Sequence, residues 1–169
     1  RDEKLLEKAV NHIIYANTGL RLQLDEIDGE AVQYIAEYEY EQIPVRSFTN
    51  YIEYRHYVKT IASKRMELNN SKLYRFEIID INGQSGIICM LNHIIADAWT
   101  YSLVAKGVDK AYQELLSGVE GDLVNNDYVD FINSEKKYRV SPKYIKDEEY
   151  WKDVNPDYIV NFLLKTTEL

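Results

Sequence analysis

The chain has 169 residues, enough for one domain, and its 46% hydrophobic and 28% charged residues indicate a folded rather than a disordered protein. Its 28 acidic and 20 basic residues give a net charge of −8, which argues against a nucleic-acid-binding surface because such a surface needs a basic stripe. A lone cysteine in an apolar run fits the cytoplasm, so we expect a cytoplasmic protein. No signal peptide and no apolar run of membrane-spanning length is evident, so we expect no membrane span.

The first part of the chain predicts a helix followed by a β-hairpin. Apolar residues recur at helical spacing over residues 2–17, and Gly19 is expected to stop the helix. Strict alternation over residues 20–24 predicts a half-buried strand, and residues 31–38 are expected to return after the Asp-Gly turn at 28–29. Because the sequence opens inside a helical pattern without an initiator methionine, we expect it to be a piece of a longer protein.

A second helix is predicted over residues 49–68, after a loop marked by Pro44. Its buried stripe is expected to consist of Ile52, Val58, Ala62 and Met66.

A second hairpin follows and supplies the centre of the predicted sheet. Residues 73–79 are expected to form one strand, and the Asn-Gly at 82–83 predicts the turn. Residues 86–91 then form a continuous apolar run, which is typical of a strand buried on both faces. Cys89, the single cysteine, lies in this run, so we expect a packed thiol and no disulfide within the chain.

The last part of the chain is predicted to be helical. The longest pattern covers residues 99–116, and we expect Trp99 to pack this helix onto the sheet. Residues 120–127 read as an acidic loop, and Ser141-Pro142 is expected to separate a short helix from a final one over residues 147–154. Together the elements predict an α/β (α+β) lobe with a mixed, mostly antiparallel sheet and helices packed on it.

Polar residues at the end of the apolar strand are the strongest functional signal. Asn92 and His93 follow the strand directly, and Asp97 comes four residues later. Ligands commonly bind just outside strand ends, and a neutral imidazole there can accept or share a proton. Two alternatives stay open for His93: a catalytic histidine, with Asp97 orienting its ring, or a histidine that is merely hydrogen-bonded at a strand end.

The five residues from His93 to Asp97 resemble the His-x-x-x-Asp core of the HHxxxDG motif. That motif belongs to the condensation domains of nonribosomal peptide synthetases, which are enzymes of antibiotic biosynthesis, and to the wider chloramphenicol-acetyltransferase-like superfamily. The hairpin feeding the motif and the helix after it are also similar to that family. Asn92 stands where the family usually has its first histidine, and Ala98 stands where it usually has glycine.

The resemblance implies a domain organisation. Residues 1–155 would be the N-terminal lobe of a condensation domain with the first strand missing, and residues 156–169 would begin the connection to an absent C-terminal lobe. Since the family's active tunnel lies between two lobes, the resemblance implies that these 169 residues are inactive alone.

The resemblance also implies a reaction and roles for individual residues. A condensation domain forms an amide bond between a donor acyl group and an acceptor amine, both tethered to carrier proteins. His93 would be the catalytic residue, Asp97 would pair with Arg21 as a structural ion pair, and Asn92 would help to orient the site. Ala98 and Trp99 would line the tunnel.

The implied partners are donor and acceptor peptidyl carrier proteins, the C-terminal lobe and a neighbouring adenylation domain. No cofactor would bind directly, because the carrier proteins bring phosphopantetheine with them. A metal site is not expected, since His93 and Asp97 are only two ligands. Two alternatives stay open: another acyltransferase or epimerisation reaction of the same superfamily, or a degenerate domain that only docks carriers, as Asn92 and Ala98 would allow.

Overall fold

The computed structural model of the protein describes residues 1–119 and 127–154. The chain divides into two units, Arg1–Asp127 and Tyr128–Leu169. Residues 120–126 of the loop predicted over 120–127, and the predicted connection over 156–169, lie outside the described residues. Within the described part, no helix is both long enough and apolar enough to cross a membrane.

Helix α1, Glu3–Ala16, forms where the sequence predicts the first helix. The carboxylate of Asp2 caps it by accepting a hydrogen bond from the Leu5 backbone N–H at 3.0 Å. The predicted stop at Gly19 is wrong, because the helix already ends at Ala16 and a 3₁₀ turn, Thr18–Arg21, follows.

Strands β1, Leu22–Ile27, and β2, Glu30–Ile35, pair as the predicted antiparallel hairpin. Its turn needs positive φ at both central positions, and Asp28 and Gly29 adopt φ of 53° and 82°.

A separate three-stranded sheet has the order β3-β4-β5. Strand β4, Tyr74–Ile81, runs antiparallel to β5, Gln84–Leu91, and parallel to β3, Val45–Phe48. One parallel and two antiparallel pairings in the described chain agree with the predicted mixed, mostly antiparallel arrangement. Strand β3 was not predicted, because it is only four residues long and mostly exposed.

Helix α2, Tyr51–Ala62, connects β3 to β4 and differs from its prediction. It ends at Ala62 rather than near residue 68, and Ile52 is 81% exposed instead of buried. The helix packs on the sheet through side chains that include two tyrosines. The prediction missed them because it considered only aliphatic residues and methionine as the buried side of the helix. The packing residues are Tyr54, Tyr57, Val58 and Ile61.

Helix α3, Ala98–Leu116, packs against α1. Gly107 makes room for the Ile13 side chain of α1, because a Cβ atom at this position would lie only 2.8 Å from the Ile13 Cδ1. Four side chains of α3 are buried: Val104, Val108, Ala111 and Tyr112.

The second unit contains helix α4, Tyr128–Arg139, and helix α5, Pro142–Val154. Pro142 occupies the first position of α5, where its missing N–H costs no helical hydrogen bond, so the last helix starts five residues before the predicted residue 147. The hydroxyl of Tyr138 donates to the Asp147 carboxylate at 2.8 Å and links the two helices.

Candidate active site

The turn that carries His93 begins where β5 ends. Leu91, the last residue of β5, pairs with Tyr74 of β4. The backbone N–H of Asn92 still donates to the carbonyl of Leu73 at 2.8 Å, so the chain stays fixed to the sheet up to Asn92. His93 is the first residue beyond this attachment, as the sequence predicts.

Asn92 shapes the turn with its side chain. Its Oδ1 accepts a hydrogen bond from the backbone N–H of Ile94 at 3.0 Å, while its backbone carbonyl accepts from Ile95 N–H at 3.1 Å. Asparagine side chains commonly bond to the backbone two residues ahead in this way and thereby stabilise tight turns. Asn92 therefore orders the backbone of the turn that carries His93.

The His93 side chain is exposed, and its Nδ1 lies 3.1 Å from the carbonyl oxygen of Ala96. A carbonyl oxygen can only accept, so Nδ1 carries the proton of the neutral ring and Nε2 carries the lone pair. No hydrogen bond joins Nε2 to any residue in the described part of the chain. In the neutral form of the ring, the turn therefore presents Nε2 as a proton acceptor.

Asp97 caps helix α3 and does not orient His93. Its Oδ1 accepts hydrogen bonds from the backbone N–H of Thr100 at 2.9 Å and from the Thr100 hydroxyl at 2.8 Å. The Thr100 hydroxyl in turn accepts from the Asp97 N–H at 3.2 Å, which completes a capping box. The hydrogen bonds from Thr100 lower the pKa of the Asp97 carboxyl.

The predicted ion pair between Asp97 and Arg21 is not formed. The Arg21 guanidinium instead donates to the carbonyls of Ala36 at 2.9 Å and Tyr15 at 3.4 Å. Its Nε is buried and has no hydrogen-bond partner within the described residues. The backbone carbonyls of Tyr15 and Ala36 therefore hold Arg21. Asp97 instead forms its hydrogen bonds at the N-terminus of α3.

Arg21 lines a cavity of about 240 Å³ that does not include His93. Glu41 is the centre of its polar wall, because its carboxylate pairs with Lys72 Nζ at 2.7 Å and accepts a hydrogen bond from the Tyr74 hydroxyl. Burial raises the pKa of the Tyr74 hydroxyl, and the neighbouring Glu41 carboxylate raises it further.

The predicted packing role of Trp99 is wrong. Its side chain is 68% exposed, and Leu103, one turn further along α3, is 55% exposed. The buried stripe of α3 lies on the other side of the helix, where Val104 and Val108 face α1. Ile94, the residue after His93, is 53% exposed. Ala98, the first residue of α3, is exposed as well.

Tyr101 is a site residue that the sequence did not single out. Its hydroxyl accepts a hydrogen bond from the Leu91 N–H and donates one to the Leu91 carbonyl, both at 3.2 Å. These bonds attach the first turn of α3 to the end of β5 and so fix both ends of the His93 turn. Nothing in the sequence distinguishes this tyrosine from the other 14.

The thiol of Cys89 lies in β5 close to the turn, but its environment suppresses reactivity. Burial raises its pKa to about 12, so the reactive thiolate is scarce at neutral pH. The described residues contain no group of three or more histidine, cysteine or acidic side chains placed to hold a metal ion.

Comparison with known proteins identifies the family. The family model for the condensation domain matches residues 1–165 of the chain. Surfactin synthase subunit 1 of Bacillus subtilis is 30% identical over 158 residues, which cover 89% of this chain and 4% of that protein. Bacitracin synthase 1 of Bacillus licheniformis is 24% identical over 157 residues, which cover 89% of this chain and 3% of that protein.

Solved structures share the fold. The starter condensation domain of the rhizomide synthetase RzmA matches 90% of this chain with a TM-score of 0.77 and 20% identity. The epimerization domain from the third module of tyrocidine synthetase B matches 91% with a TM-score of 0.76 and 17% identity. This chain spans 38% and 37% of those two chains. The predicted chloramphenicol-acetyltransferase-like α+β lobe is therefore confirmed, and the chain belongs to the condensation-domain family.

Proposed function

We propose that this chain forms the His93-bearing part of a nonribosomal peptide synthetase condensation domain that works in the cytoplasm. It would join a donor acyl group, held as a thioester on one carrier protein, to the amine of an acceptor held on another. One observation carries the proposal: the turn after β5 fixes the Nδ1–H of His93 on the Ala96 carbonyl and leaves Nε2 open to solvent.

The chemistry requires a group that handles one proton. The acceptor amine attacks the thioester carbon, a C–N bond forms, the C–S bond breaks, and the sulfur leaves as a thiol. The amine loses a proton that the departing sulfur gains, so a neutral imidazole can take up and return that proton without net change. Nε2 of His93 is the atom available for this step, either by accepting the proton or by hydrogen-bonding the amine.

The residues around His93 suit a substrate channel. Ile94, Trp99 and Leu103 follow His93 in the chain and have exposed apolar side chains. We assign Ala98 and Trp99 to the channel wall, which the C-terminal lobe of the domain would complete. Carrier proteins and a neighbouring adenylation domain are the partners that this reaction requires, and the carriers bring the phosphopantetheine arms.

The test compares His93→Ala with the wild type in the full protein that contains this sequence, supplied with loaded donor and acceptor carriers. Removing a group that transfers a proton typically costs 10²- to 10⁴-fold in rate. We therefore expect product formation to fall by roughly 100-fold or more, while carrier binding stays unchanged.

His12→Gln is the matched control, because His12 lies half-buried in α1 and has no part in the proposed reaction. This variant should retain nearly full activity. Equal product from wild type and His93→Ala would contradict the proposed role of His93. Carrier binding without turnover by any variant would favour a domain that only docks carriers.

A further inference from the structure

The hydroxyl of Tyr101 binds the backbone groups that point outward at the end of β5. In an antiparallel pair, successive residues direct their N–H and C=O groups alternately toward the partner strand and away from it. The Asn92 N–H donates to the carbonyl of Leu73, so the N–H and C=O of Leu91 point away from β4. Strand β5 is at the edge of the three-stranded sheet, and within the described residues no strand pairs with this side of Leu91.

Leu91 needs partners for these two groups because it is buried. The residue is only 8% exposed, and a buried backbone group without a hydrogen bond is costly. In an extended residue the N–H and C=O point to the same side, so one hydroxyl can accept from the first and donate to the second. The Tyr101 hydroxyl does both, at 3.2 Å each. A phenylalanine at position 101 would therefore leave both groups without this partner.

The same hydroxyl joins the two halves of the turn that carries the imidazole. The first half, residues 92–95, forms its backbone hydrogen bonds within itself and back to the sheet. The second half, residues 96–101, forms its hydrogen bonds within the start of α3. Within 1–119 and 127–154, the hydrogen bonds that connect the strand end and the first half to the second half are that of His93 itself and the two of Tyr101.

Tyr101 is connected to both sides of the contact that sets the tautomer of the imidazole. The Nδ1 of His93 lies 3.1 Å from the carbonyl of Ala96, the residue before the helix cap Asp97. The backbone N–H of Tyr101 donates to the Asp97 carbonyl at 3.4 Å, while its hydroxyl holds Leu91. Tyr101 thus ties the carbonyl side of this contact to the strand from which the imidazole emerges.

We propose that Tyr101 is a positioning residue for His93, and that its hydroxyl keeps the imidazole in the Nδ1–H tautomer with Nε2 free to accept a proton. The proposal rests on the proposed function, in which Nε2 handles the proton of the acceptor amine. A ring released from the Ala96 carbonyl would place its proton on Nε2 more often, since free histidine side chains prefer that tautomer. Nε2 would then be a donor and could not accept the proton.

The first test reads the tautomer of His93 by nitrogen NMR of the 169-residue chain, under alkaline conditions that deprotonate histidine. Protonated and unprotonated ring nitrogens differ strongly in chemical shift, and with three histidines in the chain, His93→Gln identifies the signals by their loss. We expect mainly Nδ1–H in the wild type, and an Nε2–H fraction that rises roughly twofold or more in Tyr101→Phe. A wild type that is mainly in the Nε2–H form would overturn the proposal without any variant at position 101.

The second test measures steady-state kinetics of the full protein with loaded carriers. Tyr101→Phe should lower kcat roughly 10-fold and leave KM within about twofold, because a misplaced catalytic group slows the chemical step without weakening substrate binding. Circular dichroism establishes that the variant is folded. An unchanged kcat, or an unchanged tautomer, in folded Tyr101→Phe would overturn the proposal.

The matched control is Tyr34→Phe, which also removes a tyrosine hydroxyl that has two hydrogen-bond contacts. Tyr34 is 40% exposed, and Tyr101 is 38% exposed. The Tyr34 hydroxyl lies 2.8 Å from Gln23 Oε1 and 2.9 Å from Asn70 Oδ1, so it belongs to the β1-β2 hairpin region and not to the His93 turn. The control should keep the wild-type tautomer and kcat. An equal loss of kcat in both variants would indicate a general loss of stability and would overturn the positioning role.

The tautomer and the turnover separate this proposal from the proposed function. If His93→Ala keeps full product formation, the proposed function fails, whatever the tautomer of the ring. If His93→Ala abolishes product while Tyr101→Phe keeps the wild-type tautomer and kcat, the positioning role of Tyr101 fails and the proposed function stands.

Discussion

Asn92 is the residue at which this chain departs from the family motif directly beside the candidate catalytic histidine. Its amide oxygen bonds the Ile94 N–H, and its backbone bonds Leu73 and Ile95. An asparagine is well suited to this position because its short side chain reaches the backbone two residues ahead. The departure is therefore compatible with an ordered His93 turn and gives no support to a degenerate site.

We predict that the Asn92 side chain positions His93 for catalysis. Asn92→Ala removes the bond to Ile94 N–H while the bonds from the residue 92 backbone remain. We expect kcat to fall roughly 10- to 100-fold with little change in KM, because a small displacement of a catalytic group is costly. Steady-state kinetics of the full protein would measure this split. Asn92→Asp keeps an acceptor oxygen and should restore part of kcat; an unchanged kcat in Asn92→Ala would refute the positioning role.

The sequence predicts which polar residues surround the strand end but not how they are bonded. His93 and Asp97 stand where the motif suggests, yet the partner of Asp97 is Thr100 rather than His93 or Arg21. Thr100 is only three residues away, so a capping box forms without ordering any distant segment. An Asp-x-x-Thr pattern at a helix start was the available signal. The tautomer of His93 depends on a backbone carbonyl, which no residue pattern specifies.

Elements with a clear periodicity of apolar residues, or with a distinctive turn sequence, were predictable from the sequence. Helices α1 and α3 follow apolar spacing, and both hairpins have residues able to adopt positive φ at their turns, such as Asp28-Gly29. Helix α2 was misjudged because tyrosines form much of its buried side, and Tyr57 uses its hydroxyl to bond Glu77. Strand β3 is too short to show a period, and only its pairing with β4 defines it.

The Asp97 cap of α3 leads to a prediction of how the stability of the chain depends on pH. The lowered pKa of the Asp97 carboxyl means that its charged form is favoured in the folded chain. The contribution of Asp97 to folding stability is therefore complete when the pH is above the ordinary pKa of 3.8. It is lost as the pH falls through the lower pKa that the carboxyl has in the folded chain. Asp97→Ala should lower Tm by a few degrees at neutral pH, and the difference from the wild type should shrink toward pH 2.

Circular dichroism melts of the 169-residue chain between pH 2 and pH 7 would measure this difference. Asp97→Asn is the control, because its amide oxygen can accept the same hydrogen bond without titrating. Its Tm should lie between those of Asp97→Ala and the wild type at neutral pH, because it keeps the hydrogen bond but lacks the charge, and it should approach the wild-type Tm toward pH 2. A difference between Asp97→Ala and wild type that stays constant down to pH 2 would show that the charge of Asp97 does not contribute.

At the scale of the Arg1–Asp127 unit, the three-stranded sheet separates two apolar clusters. Alternate residues of β4 point to opposite faces, so Phe76 and Ile78 join the cluster with α1 and α3, whereas Ile79 joins the cluster with α2. Glu77 points to the α2 side and is 1% exposed. It is the one charged side chain that is buried within the described residues. Because β3, β4 and α2 all supply partners to Glu77, its carboxylate joins these elements.

Glu77 therefore provides a prediction about the stability of the whole unit. Glu77→Ala removes the acceptor of the Tyr57 hydroxyl and the partner of Arg46 and Arg75, and it leaves a cavity beside α2. We expect a loss of about 3 kcal/mol in the free energy of unfolding. Glu77→Leu fills the space and should cost only about 1 kcal/mol, since apolar replacement of a buried charge is often tolerated.

Urea unfolding of the 169-residue chain, followed by circular dichroism, distinguishes the two substitutions. Tyr57→Phe is the control for the hydrogen bond alone and should cost about 1 kcal/mol. If Glu77→Leu were as destabilising as Glu77→Ala, the bonds to the carboxylate rather than the filled volume would hold α2 on the sheet. If neither substitution changed the free energy of unfolding, Glu77 would not join these elements. The expected order follows from packing, because α2 contacts the sheet mainly through the apolar side chains that surround Glu77.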